Sequence, residues 1–293
     1  MSSTRLQSAW DCHVHCFEPD KFPYKATRAY TPRPAPFAAL VRDLVTSNVM
    51  LVQATIEQSF TGLLEHLEAC LDNPEHFPGR VRGTVLASSE NRLDALTDAE
   101  LDRMHYLGVR CVRLHSLYGT SNHGIGWIQT QLKELAQLQA VFKYKWSISA
   151  QLSLKVWSEL KDFILTDTDL ATVSIVADHI GSATPSDYGS PAFQDFVELL
   201  QSGRVYVKIS AMHRRSPGDI LAMQPIVDLF AKLAPQALLW GSDWPHVDTS
   251  GWEEAGPLEG ADPASELATL RSWLSEEQMQ KILVENPERL FGH

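Results

Sequence analysis

Apolar positions along this chain fall into short continuous runs separated by longer stretches with helical spacing. The runs lie at residues 9–16, 49–55, 81–87, 109–115, 146–151, 172–179, 205–210 and 238–243. They are short and rich in β-branched residues, the pattern of strands buried on both faces in a parallel sheet. Helices are predicted between them over 61–71, 98–106, 125–141, 156–165, 191–200, 217–233 and 263–274. Within the first of these, Leu63, Leu64, Leu67 and Leu71 mark one buried stripe. Eight strands, nearly all followed by a helix, predict a single distorted (β/α)8 barrel. An open doubly wound sheet is the alternative, but no GxGxxG or GxxxxGK(S/T) follows any strand, so a nucleotide-binding version lacks its phosphate loop.

Two segments break the alternation. Residues 17–38 carry Pro19, Pro23, Pro32, Pro34 and Pro36, and residues 247–260 are equally irregular. Following the first and eighth strands, both would lie over the mouth of a barrel, where long loops carry function. No Gly/Ser linker or repeat divides the chain, which predicts one domain over 1–293.

Composition adds constraints. The 293 residues are 44% apolar with a formal charge of −11, an ordered globular composition whose field repels nucleic acid and anionic membrane surfaces. A small anionic ligand held by a few local arginines stays open. The first ten residues lack the apolar core of a signal peptide and no run approaches about 20 apolar residues, so a cytoplasmic protein is expected. Cys12, Cys16, Cys70 and Cys111 form no CxxC pair and are expected as reduced, mostly buried thiols.

The candidate chemistry sits at strand ends. Strand alternation puts Asp11, His13 and His15 on one face, with Cys12 and Val14 on the other. The sixth predicted strand ends in Asp178-His179, and the eighth runs into Gly241-Ser242-Asp243-Trp244-Pro245-His246. Of the 11 histidines, His13, His15, His115, His179, His213 and His246 lie at or just beyond predicted strand ends. In a barrel those ends converge on the catalytic face.

These motifs resemble the amidohydrolase superfamily, in the branch that contains 2-pyrone-4,6-dicarboxylate lactonase and sugar-lactone hydrolases. The matching elements are DxHxH at 11–15, Tyr-Thr-Pro at 30–32, Val-x-Asp-His-x-Gly at 176–181, Val-Lys-Ile-Ser at 207–210, Gly-Ser-Asp-Trp-Pro-His at 241–246 and Asn-Pro-Glu-Arg-Leu-Phe-Gly at 286–292. The resemblance implies a lactone-opening hydrolase in which Asp243 is the general base for water. His13, His15 and His179 would surround the carbonyl, a division that suits a carboxylate among imidazoles.

The same four side chains could form a mononuclear metal site, zinc first, or the reaction could proceed with no cofactor. A two-metal site is not expected, because the fourth strand supplies Arg113 and His115 and the fifth ends at Gln151. Substrate contacts are expected from Arg113 and Arg214, which match arginines that bind carboxylates in the pyrone lactonase, and from Tyr30, His115 and His246. The segment Ser116-Leu117-Tyr118-Gly119-Thr120 has none of the further arginines of that enzyme, which weakens the case for a dicarboxylate. Lys208 is expected to bridge to Asp11 or Asp243. Two other readings are a zinc-dependent decarboxylase like those acting on aminocarboxymuconate semialdehyde and a barrel that binds a metabolite without turnover.

Overall fold

The computed structural model describes residues 5–75, 77, 79–88, 91–115, 124–249 and 255–293, and the side chain of His115 lies outside that description. Eight strands are present: β1 (Leu6–Val14), β2 (Thr46–Val52), β3 (Val81–Leu86), β4 (Val109–His115), β5 (Ser147–Gln151), β6 (Ile175–Ala177), β7 (Val205–Ile209) and β8 (Leu238–Trp240). Each is parallel to its sequence neighbour, in the order β1 to β8. The ring closes where the chain leaving β8 meets β1. There Val14 pairs with Trp244, and the Asp243 N–H donates to the His13 carbonyl at 2.8 Å. This closure selects the (β/α)8 barrel over the open sheet.

Side-chain alternation explains how the interior is layered. Trp10, Cys12, Met50, Cys111, Val176 and Leu239 touch one another although they come from five strands, which places them inside the ring. Leu290 and Phe291, from a helix at Asn286–Phe291, join this cluster. Two residues further along the strands the lining becomes polar: Arg113 follows Cys111, Asp178 follows Val176 and Lys208 follows Tyr206, all buried. An apolar floor beneath a polar mouth is therefore encoded by strand periodicity.

The first strand departs from simple alternation. A register shift between Asp11 and Val14 turns both Cys12 and His13 inward, so Asp11 does not share the face of His13 as predicted. Its Oδ1 instead accepts the backbone N–H groups of Ser242 at 2.9 Å and His13 at 3.2 Å. A bulge re-aims side chains in this way.

The outer helices follow local signals. Thr97 and Glu100 form a capping box for Asp98–Leu107, and Ser153 caps Leu154–Thr166. The helix predicted over 125–141 is split at Leu138, and the one predicted over 217–233 begins only at Gln224, after a short 3-10 turn. In Thr61–Asp72 the buried stripe stops at Leu67, and Leu71 is exposed. A helix at Phe37–Asp43, inside the proline-rich region's end, was not predicted. The two mouth loops are joined, with Pro32 bridged to Ala255; residues 250–254 of the second lie outside the described set, as do Ser116–Thr120. All four cysteines are free, with Cys12 and Cys111 buried. Among the described residues no helix is long and apolar enough to cross a membrane.

Candidate active site at the barrel mouth

The chain turns sharply as it leaves β6, β7 and β8. His179, Ile180 and Ser182 after β6, Ala211 after β7, and Asp243 and His246 after β8 all have positive φ. Left-handed backbone in non-glycine residues costs of order 1 kcal/mol each and concentrates where side chains must be aimed. Here it aims His179 and Asp243 at the two histidines arriving from β1.

Their geometry is convergent. The Nε2 atoms of His13, His15 and His179 lie 3.7, 3.8 and 3.9 Å from one oxygen, Oδ1 of Asp243. Arg214 pairs with the other oxygen, Oδ2, and also donates to the Val247 carbonyl at 2.7 Å. The far nitrogens are tethered too: His15 Nδ1 donates to the Val52 carbonyl at 2.6 Å, and His179 Nδ1 lies 2.9 Å from Ser210 Oγ. Because a carbonyl can only accept, His15 Nδ1 carries its proton and Nε2 is a bare acceptor. Two acceptors, His15 Nε2 and Asp243 Oδ1, thus face each other at a distance that a water or a cation would bridge.

Below the cluster, Asp178 gathers the buried cations. Its Oδ1 is 2.9 Å from Lys208 Nζ, and its Oδ2 accepts from Arg113 Nε at 3.0 Å. Lys208 therefore bridges to Asp178, and the expected partners Asp11 and Asp243 are corrected. The reason is register: Ala177 pairs with Val207, which brings the next residues, Asp178 and Lys208, side by side on adjacent strands. Burial pushes the Asp178 carboxyl up, but Lys208, His13 and Arg113 together hold it well below the usual range. Burial, reinforced by Lys208, lowers His13 to about 3, and burial also drives His15 and His179 well below the ordinary histidine value. All three imidazoles are neutral at pH 7. Arg113, Lys208 and the half-buried Arg214 therefore face the two carboxylates Asp178 and Asp243.

The cavity above is lined by His15, His179, Asp243, Arg113, Arg214 and Tyr30, with Thr55 and Gln151 among its other walls. Burial raises the Tyr30 hydroxyl's pKa, so it stays a proton donor. His246 is not among the lining residues; burial, followed by the nearby Arg214, lowers it to about 4. Gln151, missed by sequence reasoning, accepts from Arg113 at 2.7 Å, and its position at the end of β5 was the available signal. Asp178 was seen in the motif but given no role, although it directly precedes His179.

For a metal, His13, His179 and Asp243 each offer a donor atom, and the three lie within 4.8 Å of one another. His15, whose Nδ1 is bonded to Val52, is not one of these three, although its Nε2 lies 3.8 Å from Asp243 Oδ1. His13 Nε2 is buried with no hydrogen-bond partner, as a ligand position would be.

A family model described as amidohydrolase matches residues 10–293. The chain belongs to the amidohydrolase family. Two curated relatives in sequence are a 4-sulfomuconolactone hydrolase of Hydrogenophaga intermedia, 27% identical over 97% of this chain and 88% of the relative, and a 2-pyrone-4,6-dicarboxylate hydrolase of Comamonas testosteroni, 28% identical over 97% and 90%. Among solved structures, one described as a probable 2-pyrone-4,6-dicarboxylic acid hydrolase from Acinetobacter baumannii, with citric acid bound, superposes with a TM-score of 0.69 at 22% identity. It spans 98% of this chain and all of that one. An amidohydrolase from Burkholderia multivorans with bound zinc gives 0.61 at 15% identity, spanning 97% and 99%. Family and barrel agree with the reading of the motifs.

Proposed function

We propose that this amidohydrolase opens the ring of a small lactone bearing an anionic substituent. The observation that carries this reading is the convergence of three neutral imidazole Nε2 atoms on Asp243 Oδ1, with Arg214 paired to Oδ2 of the same carboxylate. The names of the relatives, both hydrolases of acidic lactones, point the same way.

In this mechanism a water sits between Asp243 Oδ1 and His15 Nε2, donating to both acceptors. Its oxygen attacks the lactone carbonyl while Asp243 takes the proton, and the carbonyl π electrons move onto oxygen. Collapse of that oxyanion breaks the ring C–O bond, and the leaving oxygen recovers the proton from Asp243. One water is consumed, and the products are a carboxylic acid, which ionises and releases one proton to solvent, and an alcohol or enol on the same molecule. Arg214, whose side chain is 19% exposed, and Arg113 supply positive potential for the substituent. Tyr30 would donate from the mouth loop.

His13, His179 and Asp243 would hold a divalent metal where one is bound, and its chemistry there would be Lewis-acid polarisation of the carbonyl. The test of the function is a pH-indicator assay over pyrone, muconolactone and aldonolactone panels, with metal content measured on the same sample. Acid release on an anionic lactone is expected; no hydrolysis across the panel refutes the reading.

A further inference from the structure

Gln151 closes β5 at 4% exposure and borders the cavity, yet the catalytic reading gives it no task. In a ring of eight strands closed between β8 and β1, the pair β4 and β5 stands across the mouth from Asp243. The residues that this pair turns into the cavity are Arg113 and Gln151. Arg113 donates through Nε to Asp178 at 3.0 Å and through Nη2 to the Gln151 amide at 2.7 Å. A guanidinium only donates, so the amide atom facing it is the oxygen, Oε1. The other end, Nε2 with two N–H donors, has no hydrogen-bond partner among the described residues. It is not one of the polar atoms enclosed without a partner, so it borders open space, and the space that Gln151 borders is the cavity.

A carboxamide pinned in this way is a directional donor with a cation directly behind it. Asp178 also sets one carboxylate against two cations, Arg113 and Lys208, a local excess of positive charge that favours an anion at this wall. We propose that Gln151 is a substrate-binding residue whose Nε2 donates to an oxygen of the anionic substituent, across the lactone ring from the carbonyl attacked beside Asp243. Arg113 is then the positioning residue that fixes which end of the amide is presented. What fills the site rests on the lactone-hydrolase reading; the orientation of the amide does not, and its test needs no turnover.

The probe is cyclopentanone-3-carboxylate, an anionic ring with a carbonyl and no ester to open. The side-chain amide signals of Gln151 are followed by proton–nitrogen correlation in the full protein, assigned through the other resonances of the same residue. Binding of the probe to wild type is expected to move one Gln151 amide proton downfield, as a hydrogen bond to a carboxylate does. The corresponding carboxamide should bind more weakly and move it less. Gln151→Met should raise the Kd of the carboxylate about 10-fold or more, the loss of one hydrogen bond to a charged group. Gln151 signals unmoved by the bound probe, no binding of the probe to wild type, or wild-type affinity in folded Gln151→Met each overturns the proposal. If that variant does not fold, the wild-type spectrum decides. A shifted Gln151 amide in a protein that opens no lactone would refute the hydrolase reading and leave the anion subsite standing.

Discussion

The backbone N–H of Asp243 donates to the carbonyl oxygen of His13 at 2.8 Å, so the proposed base and the imidazole it faces share one frame at the seam between β8 and β1. Site geometry here is a property of barrel closure, and changes at the seam should reach the chemistry before they unfold the protein.

Gly241→Ala tests that link. A Cβ at this position would lie 2.7 Å from His13 Cβ and 2.9 Å from His13 N, contacts that only a backbone shift relieves. Urea unfolding is expected to show a loss of about 1–3 kcal/mol, together with a drop in kcat/KM of at least tenfold in protein that is still folded. Full activity in this variant would mean that the seam does not set the position of Asp243.

The seam was only partly legible in the sequence. Eight strands were readable because each is buried on both faces, but the ends of β6 and β8 were overdrawn. Asp178 and His179, and Gly241 to Asp243, continue an apolar-looking run while the backbone has already turned, with positive φ at His179 and Asp243. The strand-end positions of His13, His15, His179 and Asp243 were legible, and the structure brings these four side chains together. The face of Asp11 was misassigned because a bulge leaves no compositional trace, and the partner of Lys208 because it depends on the register between β6 and β7. Tertiary pairing of this kind cannot be read from periodicity.

Beneath the seam two further carboxyls are buried. Burial pushes Glu266 up to about 8 against the bond from Trp240 Nε1 at 3.0 Å, and pushes Asp11 up to about 6. A folded pKa above the unfolded value means that the native state holds more protons, so stability falls as pH rises from about 4.5 toward 8. Glu266→Gln keeps an acceptor for Trp240 and removes this titration. Its urea midpoint is expected to fall less than that of wild type between pH 5 and pH 8; parallel pH profiles would contradict the assignment.

Arg214 both pairs with Asp243 and lines the cavity. Arg214→Met should reduce kcat/KM for an anionic lactone by about 10–100-fold, the range of 1.4–2.8 kcal/mol expected for a charge-assisted pair. The loss should be smaller for the same lactone with its carboxylate esterified. Equal losses on both substrates would remove Arg214 from recognition of the substituent.

The most direct test is Asp243→Asn, which preserves shape but cannot take a proton. On the best lactone found in the panel, turnover is expected to fall by at least about 10³, with the circular dichroism spectrum and the urea midpoint close to those of wild type. Hydrolysis within about tenfold of wild type in that folded variant would contradict the assignment of Asp243 as the base, and with it the mechanism built on the three imidazoles around its Oδ1.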